Sequence, residues 1–167
     1  LFKNNKTSGL EEKQLSISKK NYYLINKESE IDKWLKDAEE NGEVAIDTET
    51  TSLNPHLADL VGISLSTKIG SACYIPIGHK KGHCLNQEKV IKKLKPVLED
   101  KSIKKIGQNI KFDFIILKHR GIEMNSMEDT MLMSYVLDAG KNRHNMDTLS
   151  EIHLNHKTIA FKDLVGT

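Results

Sequence analysis

The sequence is poor in the residues that mark disulfide scaffolds and membrane proteins. It has two cysteines among 167 residues, Cys73 and Cys84, and they form neither a CxxC pair nor a metal-ligand set. Two such cysteines are more typical of a reducing cytosol than of a disulfide framework. No apolar run approaches the roughly 20 residues that a membrane-spanning helix needs, and the polar start LFKNNKTSGLEEK has no signal-peptide pattern. The sequence therefore predicts a cytoplasmic protein with no membrane partner.

Signatures of several enzyme classes are also missing. The segment STKIGS (66–71) lacks the spacing of a phosphate-binding Walker loop, and there is no nucleophile elbow or Ser-His-Asp set. His79, His83 and Cys84 carry metal-binding side chains, but they lie in a Gly- and Lys-rich loop without a fourth ligand. An ordinary exposed loop is the interpretation favoured there.

The composition indicates one globular domain. Hydrophobic residues make up 38% of the chain and charged residues 29%, and the length is sufficient for a core. Residues 1–20 are polar and weakly patterned, which indicates a linker or frayed N-terminal segment and leaves 21–167 as the domain. The net charge of +2 is too small to prove a nucleic-acid partner. Because nothing points to an obligate dimer, we expect a monomer.

Hydrophobic periodicity predicts an α/β protein. Apolar positions from Ile31 to Ala38 have helical spacing and Gly42 is placed to end that helix, while Asn86 is a good N-cap for a helix over 87–99. Three sequential strands predict an antiparallel meander, and the helices and short strands that follow favour a mixed sheet. The predicted strands cover 22–25, 43–48, 60–66, 72–77 and 104–108, and the remaining predicted helices cover 110–119, 128–138 and 147–155.

The stretch EVAIDTETTSL (43–53) places Asp47 and Glu49 directly after a short apolar run. Side chains two residues apart share a face on a strand but not on a helix. A second Asp-x-Glu, Asp37 and Glu39, occurs in the helical pattern WLKDAEEN and predicts a solvated surface. Adjacent carboxylates repel, and Mg²⁺ or Mn²⁺ removes that penalty. The strand pair is therefore a candidate cation site, with a plain strand-to-loop turn as the alternative.

Two later stretches complete a recognisable series. They are IGQNIKFDFIIL (106–117) and EDTMLMSYVL followed by RHNMDTLSE (128–151). With DTET at 47–50, the GQNxKxD and RHxMDxL patterns in this order resemble the proofreading 3′–5′ exonuclease domain of bacterial family A DNA polymerase I, from about Tyr22 to the end. The resemblance implies a ribonuclease H-like fold, in which helices flank a mixed five-stranded sheet.

The resemblance also implies a chemistry, namely two-metal hydrolysis of a phosphodiester. Asp47 would bridge two divalent ions, Glu49 would bind the first beside the attacking water, and Asp113 would serve the second through its water shell. The ions would be Mg²⁺ or Mn²⁺, with Zn²⁺ as an option at one site. Taken alone, Asp113 has another interpretation, because an acid in a first helical turn often complements the helix dipole.

The same resemblance implies contacts to the 3′ end of single-stranded DNA. Leu53 and Phe161 would wedge against and pack on the terminal bases, which suits removal of any nucleotide; core packing is the alternative for both. Phe112 stands where the family usually has Tyr, so a hydroxyl contact is lost. The remaining implied DNA-binding residues are Thr50, Gln108, Asn109 and Arg143.

One part of the family's pattern is absent from the sequence. The family uses a fourth acid in a Tyr-x-x-x-Asp motif, and Tyr135 with Asp138 comes closest but has the wrong spacing. We expect the motif beyond Thr167, so that 21–167 is an exonuclease domain truncated before its last acidic motif. A polymerase domain of the same parent chain would be its partner. The alternatives are a non-catalytic DNA-guiding domain and an RNA-trimming exonuclease.

Overall fold

The computed structural model describes residues 21–159 and 163 of the chain. A six-stranded mixed sheet and five α-helices organise these residues, and the predicted linker over 1–20 lies outside them. In chain order the elements are β1 (Tyr22–Leu24), α1 (Ile31–Asn41), β2 (Glu43–Thr50), β3 (Leu60–Lys68), β4 (Ser71–Pro76), α2 (Gln87–Glu99), β5 (Lys104–Gly107), α3 (Lys111–Lys118), β6 (Met127–Asp129), α4 (Thr130–Asp138) and α5 (Met146–Leu154).

The strand order is β1-β4-β3-β2-β5-β6. β2, β3 and β4 pair antiparallel, which confirms the predicted meander. β1 joins β4, β5 joins β2 and β6 joins β5, each in parallel. Both α/β class and mixed sheet are therefore as predicted, and β2 lies near the centre, with β3 on one side and β5 on the other.

The sheet has six strands where five were expected. The additional strand is Met127–Asp129, part of which the periodicity assigned to the helix over 128–138. Its residues pair in parallel with Lys105, Ile106 and Gly107 of β5. A three-residue strand has too little periodicity to be read from sequence, and here tertiary pairing decides its conformation.

The two faces of β2, β3 and β4 differ in composition. Because side chains alternate along a strand, one face carries Val44, Ile46, Ile63, Leu65 and Ile75, all buried in the core. Helix α1 packs on this face against β2 and β3, and α2 packs against α1. The opposite face carries smaller or polar and partly exposed side chains, among them Ala45, Asp47, Ser64, Ser66 and Ala72.

The predicted helix ends at α1 and α2 are confirmed. Gly42 has φ of +69° and closes α1 through its N–H to the carbonyl of Ala38, a left-handed position that glycine adopts readily. The Asn86 side chain accepts from the Lys89 N–H at the start of α2. In the part of the chain that the structure describes, no helix combines the length and the apolar character needed to cross a membrane.

Candidate active site

The C-terminal half of β2 presents two carboxylates on one face of the sheet. Val44, Ile46 and Thr48 are buried, while Asp47 is half-buried and Glu49 is exposed on the alternate face. Across β3, Asp47 lies opposite Ser64 and Glu49 opposite Gly62. The register shifts between Glu49 and Thr50, where the strand leaves its regular pairing. The predicted shared face of Asp47 and Glu49 is thus present.

Asp113 reaches the same end of β2 from a different element. It lies in the first turn of α3 and is only 3% exposed. Its Oδ1 accepts two hydrogen bonds from Thr48, one from the backbone N–H at 2.8 Å and one from the hydroxyl at 2.6 Å. β2 pairs with β5 only as far as Ala45, so beyond that point Asp113 supplies the acceptor that the strand lacks. Asp113 is therefore bound to β2, and dipole complementation alone does not describe its role.

Two of the three carboxyl groups, those of Asp47 and Asp113, have raised pKa values. The pKa of Asp47 is raised to about 6, first by burial and then by the negative charges of Asp113 and Glu49. Burial also raises the pKa of Asp113, against the opposing effect of its hydrogen bonds from Thr48, and the charge of Asp129 adds to the rise. Among residues 21–159, no Lys, Arg or His forms an ion pair with any of the three acids. The ion pairs in that range involve other residues.

This cluster fits a divalent cation by charge and by donor type. Carboxylate oxygens are the ligands that Mg²⁺ and Mn²⁺ prefer, and negative charge without a positive partner is what a bound ion would compensate. The fit is partial, because no three His, Cys, Asp or Glu side chains within the described range converge closely enough to hold an ion.

Asp129 is a site-supporting residue that the sequence reasoning missed. Its carboxylate accepts from the backbone N–H groups of Asn109 (2.9 Å) and Ile110 (3.1 Å), just before α3, and from Met131 (2.9 Å) at the start of α4. One side chain therefore caps α4 and holds the β5–α3 turn that leads to Asp113. An acid followed by Thr before a helical pattern was a usable N-cap signal, but the contact with Asn109 was not visible.

The predicted DNA-contacting amides have different surroundings. Asn109 is exposed, with a left-handed backbone at φ of +56°. Gln108 is half-buried, and both ends of its amide are engaged: Nε2 donates to the carbonyl of His144 at 2.8 Å, and Oε1 accepts from the Thr130 hydroxyl at 2.5 Å. Gln108 and Asp47 line the same cavity of about 250 Å³. The second N–H and the second lone pair of the amide are left for a substrate contact.

The other predicted DNA contacts lie mostly on the surface. Leu53 is 95% exposed in the turn after β2, which overturns core packing as the alternative for this residue. The Thr50 hydroxyl donates to the carbonyl of Ser52 at 3.0 Å. Phe112 packs against the core and is half-buried, and Arg143 is exposed between α4 and α5. Phe161 lies outside the described residues.

Comparisons with known proteins give the site its context. A family model described as 3′–5′ exonuclease matches residues 22–167. DNA polymerase I of Rhizobium leguminosarum is 42% identical over 167 residues, which cover 87% of this chain and 16% of the relative. DNA polymerase I of Pseudomonas aeruginosa is 39% identical over 155 residues, with the same coverage of 87% and 16%. The chain thus spans about a sixth of the length of these relatives.

A solved structure has a similar fold. NrnC of Brucella melitensis with bound Mg²⁺ superposes with a TM-score of 0.63 at 25% identity and covers 88% of this chain and 67% of its own. The architecture is the ribonuclease H-like one that the sequence resemblance implied. Family model, relatives and fold agree with the series of motifs, and the chain belongs to the 3′–5′ exonuclease family of DNA polymerase I.

Proposed function

We propose that this chain provides the proofreading nuclease site of a bacterial DNA polymerase I, which hydrolyses the 3′-terminal phosphodiester of single-stranded or frayed DNA with two divalent ions. The observation that supports it most is the gathering of three carboxylates at one end of β2. Asp47 and Glu49 come from the strand itself, and Thr48 holds Asp113 beside them. A polymerase domain on the same parent chain, a cytoplasmic location and a monomeric state belong to the proposal.

Each acid has a distinct part in this scheme. Bound ions would activate water and stabilise charge on the phosphate. Asp47, which is half-buried, would hold both ions, and Glu49, which is exposed, would hold one of them beside the attacking water. Asp113, held by Thr48, would serve the second ion through the water shell of that ion. Because the pKa of Asp47 is about 6, the site reaches its full negative charge only above that pH.

The surface around the acids suits a substrate of any sequence. Leu53 projects from the turn after β2 with almost its whole side chain in solvent, where it can wedge against the terminal base. Thr50, Asn109 and Arg143 supply polar groups for the sugar–phosphate backbone. The proposed contacts also include stacking by Phe161, packing by Phe112 and a hydrogen bond from the Gln108 amide. Stacking and wedging carry little base preference, as removal of a mispaired nucleotide requires.

The test is digestion of 5′-labelled single-stranded DNA in Mg²⁺ or Mn²⁺. The protein is used in a form that carries the expected Tyr-x-x-x-Asp motif. Wild type is expected to give a ladder of 3′-shortened products that chelation abolishes, and Asp47→Ala is expected to give none. Asp37→Ala, which removes an acid of the same spacing from α1, is the matched control and should digest like wild type.

Other outcomes identify the alternatives. Absence of digestion by both wild type and Asp47→Ala would show that the acids are not catalytic, and the domain would then act as a DNA-guiding scaffold. Digestion of an RNA oligonucleotide in preference to DNA of the same sequence would indicate an RNA-trimming enzyme instead.

A further inference from the structure

Tyr74 of β4 lies on the same face of the sheet as the acids. In the register of the meander, Tyr74 is opposite Ser64 and Ser64 is opposite Asp47, so the three side chains form one row. The next row is Pro76, Gly62 and Glu49. Directly opposed residues project to the same side. Tyr74 is therefore a half-buried aromatic residue on the acidic face, two strands away from Asp47.

Gly62 lets the Tyr74 side chain cross from its own row into the row of Glu49. A Cβ atom at Gly62 would overlap the Tyr74 hydroxyl and ring, so the phenol fills the space above this glycine. Opposed Cβ positions on an antiparallel pair lie about 5 Å apart. Since Glu49 is directly opposite Gly62, the hydroxyl lies within the reach of one glutamate side chain.

A second side chain fixes the hydroxyl. His79, in the loop after β4, places its Nε2 2.7 Å from the Tyr74 oxygen, and the two rings meet edge to face with centroids 5.6 Å apart. With the proton on Nε2, His79 donates to the phenol oxygen, and the phenol proton is left for another acceptor. His79 is thus more than the ordinary exposed loop residue predicted from sequence, although no metal cluster forms around it in the described part of the chain.

We propose that Tyr74, held by His79 above Gly62, is a positioning residue of the nuclease site whose hydroxyl hydrogen-bonds the Glu49 carboxylate. Glu49 is an exposed side chain, and its charge and that of Asp47 repel each other. A hydrogen bond from the neutral Tyr74 hydroxyl would restrict the rotation of the Glu49 side chain. It would thereby hold the carboxylate in one orientation for ion binding, as hydrogen-bond partners of metal ligands do in other proteins. Burial, and then the charge of Glu49, raise the pKa of Tyr74 to about 12, so the phenol stays a neutral donor.

This inference rests on the proposed function, and Tyr74→Phe tests it by removing only the hydroxyl. Mn²⁺ affinity is measured without DNA, and digestion of single-stranded DNA is measured separately. We expect Tyr74→Phe to weaken Mn²⁺ binding and to slow digestion, each by about tenfold, with an unchanged melting temperature. The matched control is Tyr23→Phe, whose ring packs near Trp34 on the opposite face of the sheet and which should leave both readouts unchanged.

A double-mutant cycle distinguishes positioning from a general structural role. If Tyr74 acts through Glu49, Tyr74→Phe has no further effect on Mn²⁺ affinity in a Glu49→Ala background, which lacks the acceptor of the proposed hydrogen bond. Gly62→Ala displaces the phenol while retaining its hydroxyl, and should reproduce the loss of Mn²⁺ affinity.

Different results would contradict the positioning role of Tyr74 and the nuclease assignment. Wild-type Mn²⁺ affinity in Tyr74→Phe, or the same decrease with and without Glu49, would overturn the positioning role and leave the nuclease assignment intact. Wild type that neither binds Mn²⁺ nor digests DNA would remove the proposed function and this inference with it.

Discussion

Asp37 and Glu39 of α1 have the same spacing as Asp47 and Glu49 of β2, but the two pairs lie in opposite surroundings. On the helix, Asp37 forms an ion pair with Lys33 at 2.8 Å, one turn earlier, and Glu39 points into solvent. On the strand, both acids project to one face and are joined by Asp113. The difference follows from the side-chain period, which is 3.6 residues for a helix and 2 for a strand.

The comparison shows which carboxylates are free to bind a cation. The helical acids already have a cationic neighbour or bulk water, so they gain little from a metal ion. On the strand, burial and then the charges of Asp113 and Glu49 disfavour the ionised form of Asp47, as its pKa of about 6 shows. A divalent ion would offset this effect. The same Asp-x-Glu spacing therefore favours cation binding on the strand and not on the helix.

The largest expected difference between the two pairs is catalytic. Glu49→Gln should slow 3′–5′ digestion by about a thousandfold, because it removes one charged ligand from the site. Glu39→Gln should change the rate less than about twofold, since its carboxylate is exposed on α1. Initial rates on 5′-labelled single-stranded DNA measure both. Similar losses in the two variants would mean that the strand pair has no special role.

The pH dependence of stability sharpens the comparison. A carboxyl whose folded pKa is raised from 3.8 to about 6 stabilises the fold below pH 4, and this contribution is lost as the pH rises through about 6. Without divalent ions, Asp47→Asn should therefore be about 2 kcal/mol more stable than wild type at pH 7 and nearly equal to it at pH 4. Denaturant unfolding at both pH values measures this.

The same experiment has an internal control. Asp37→Asn removes a carboxylate that is paired with Lys33, so it should not gain stability at pH 7. A gain of equal size in both variants would indicate a general charge effect rather than repulsion at the site.

A smaller effect is expected when the support of Asp113 is weakened. Thr48→Val keeps the shape of the side chain but deletes the hydroxyl that donates to Asp113 at 2.6 Å, while the backbone N–H remains. We expect digestion to slow by about tenfold, the equivalent of one lost hydrogen bond to a charged group. The control is Thr67→Val, because the buried Thr67 hydroxyl has no hydrogen-bond partner among the described residues. Equal rates for Thr48→Val and wild type would remove this positioning role.

The smallest effect concerns the stability of the exposed turn beyond the acids. Leu53→Ala should change the free energy of unfolding by less than about 0.5 kcal/mol, since the side chain is almost entirely in solvent. Leu65→Ala, in the core, should cost about 2–5 kcal/mol. Urea unfolding compares the two. If Leu53 is a wedge for the substrate, its alanine variant keeps its stability and loses digestion of frayed ends.

Much of the fold could be read from the sequence because its elements have clear periods. The apolar alternation in β2, β3 and β4 and the helical stripe of α2 place these elements within a few residues of their observed bounds. β6 could not be predicted, because three residues carry no usable period and their conformation depends on pairing with β5. Asp47 and Glu49 could be predicted as a pair, since only local geometry is needed.

The rest of the site depends on contacts that sequence does not encode locally. Thr48 and Asp113 are 65 positions apart, and their hydrogen bonds follow from the place where β5 ends. Asp129 reaches Asn109 across 20 positions for a similar reason. The space that Gly62 leaves for Tyr74 depends on strand register, which a single sequence does not specify.

Direct Mn²⁺ binding tests the central claim that the acids of β2 form a cation site. Wild type, Asp47→Asn and Asp37→Asn would be titrated with Mn²⁺ at pH 7.5, above the pKa of Asp47, and free Mn²⁺ would be followed by electron paramagnetic resonance. We predict that wild type and Asp37→Asn bind with the same affinity and that Asp47→Asn binds at least about tenfold more weakly. Equal affinity in all three proteins would contradict a metal site at Asp47.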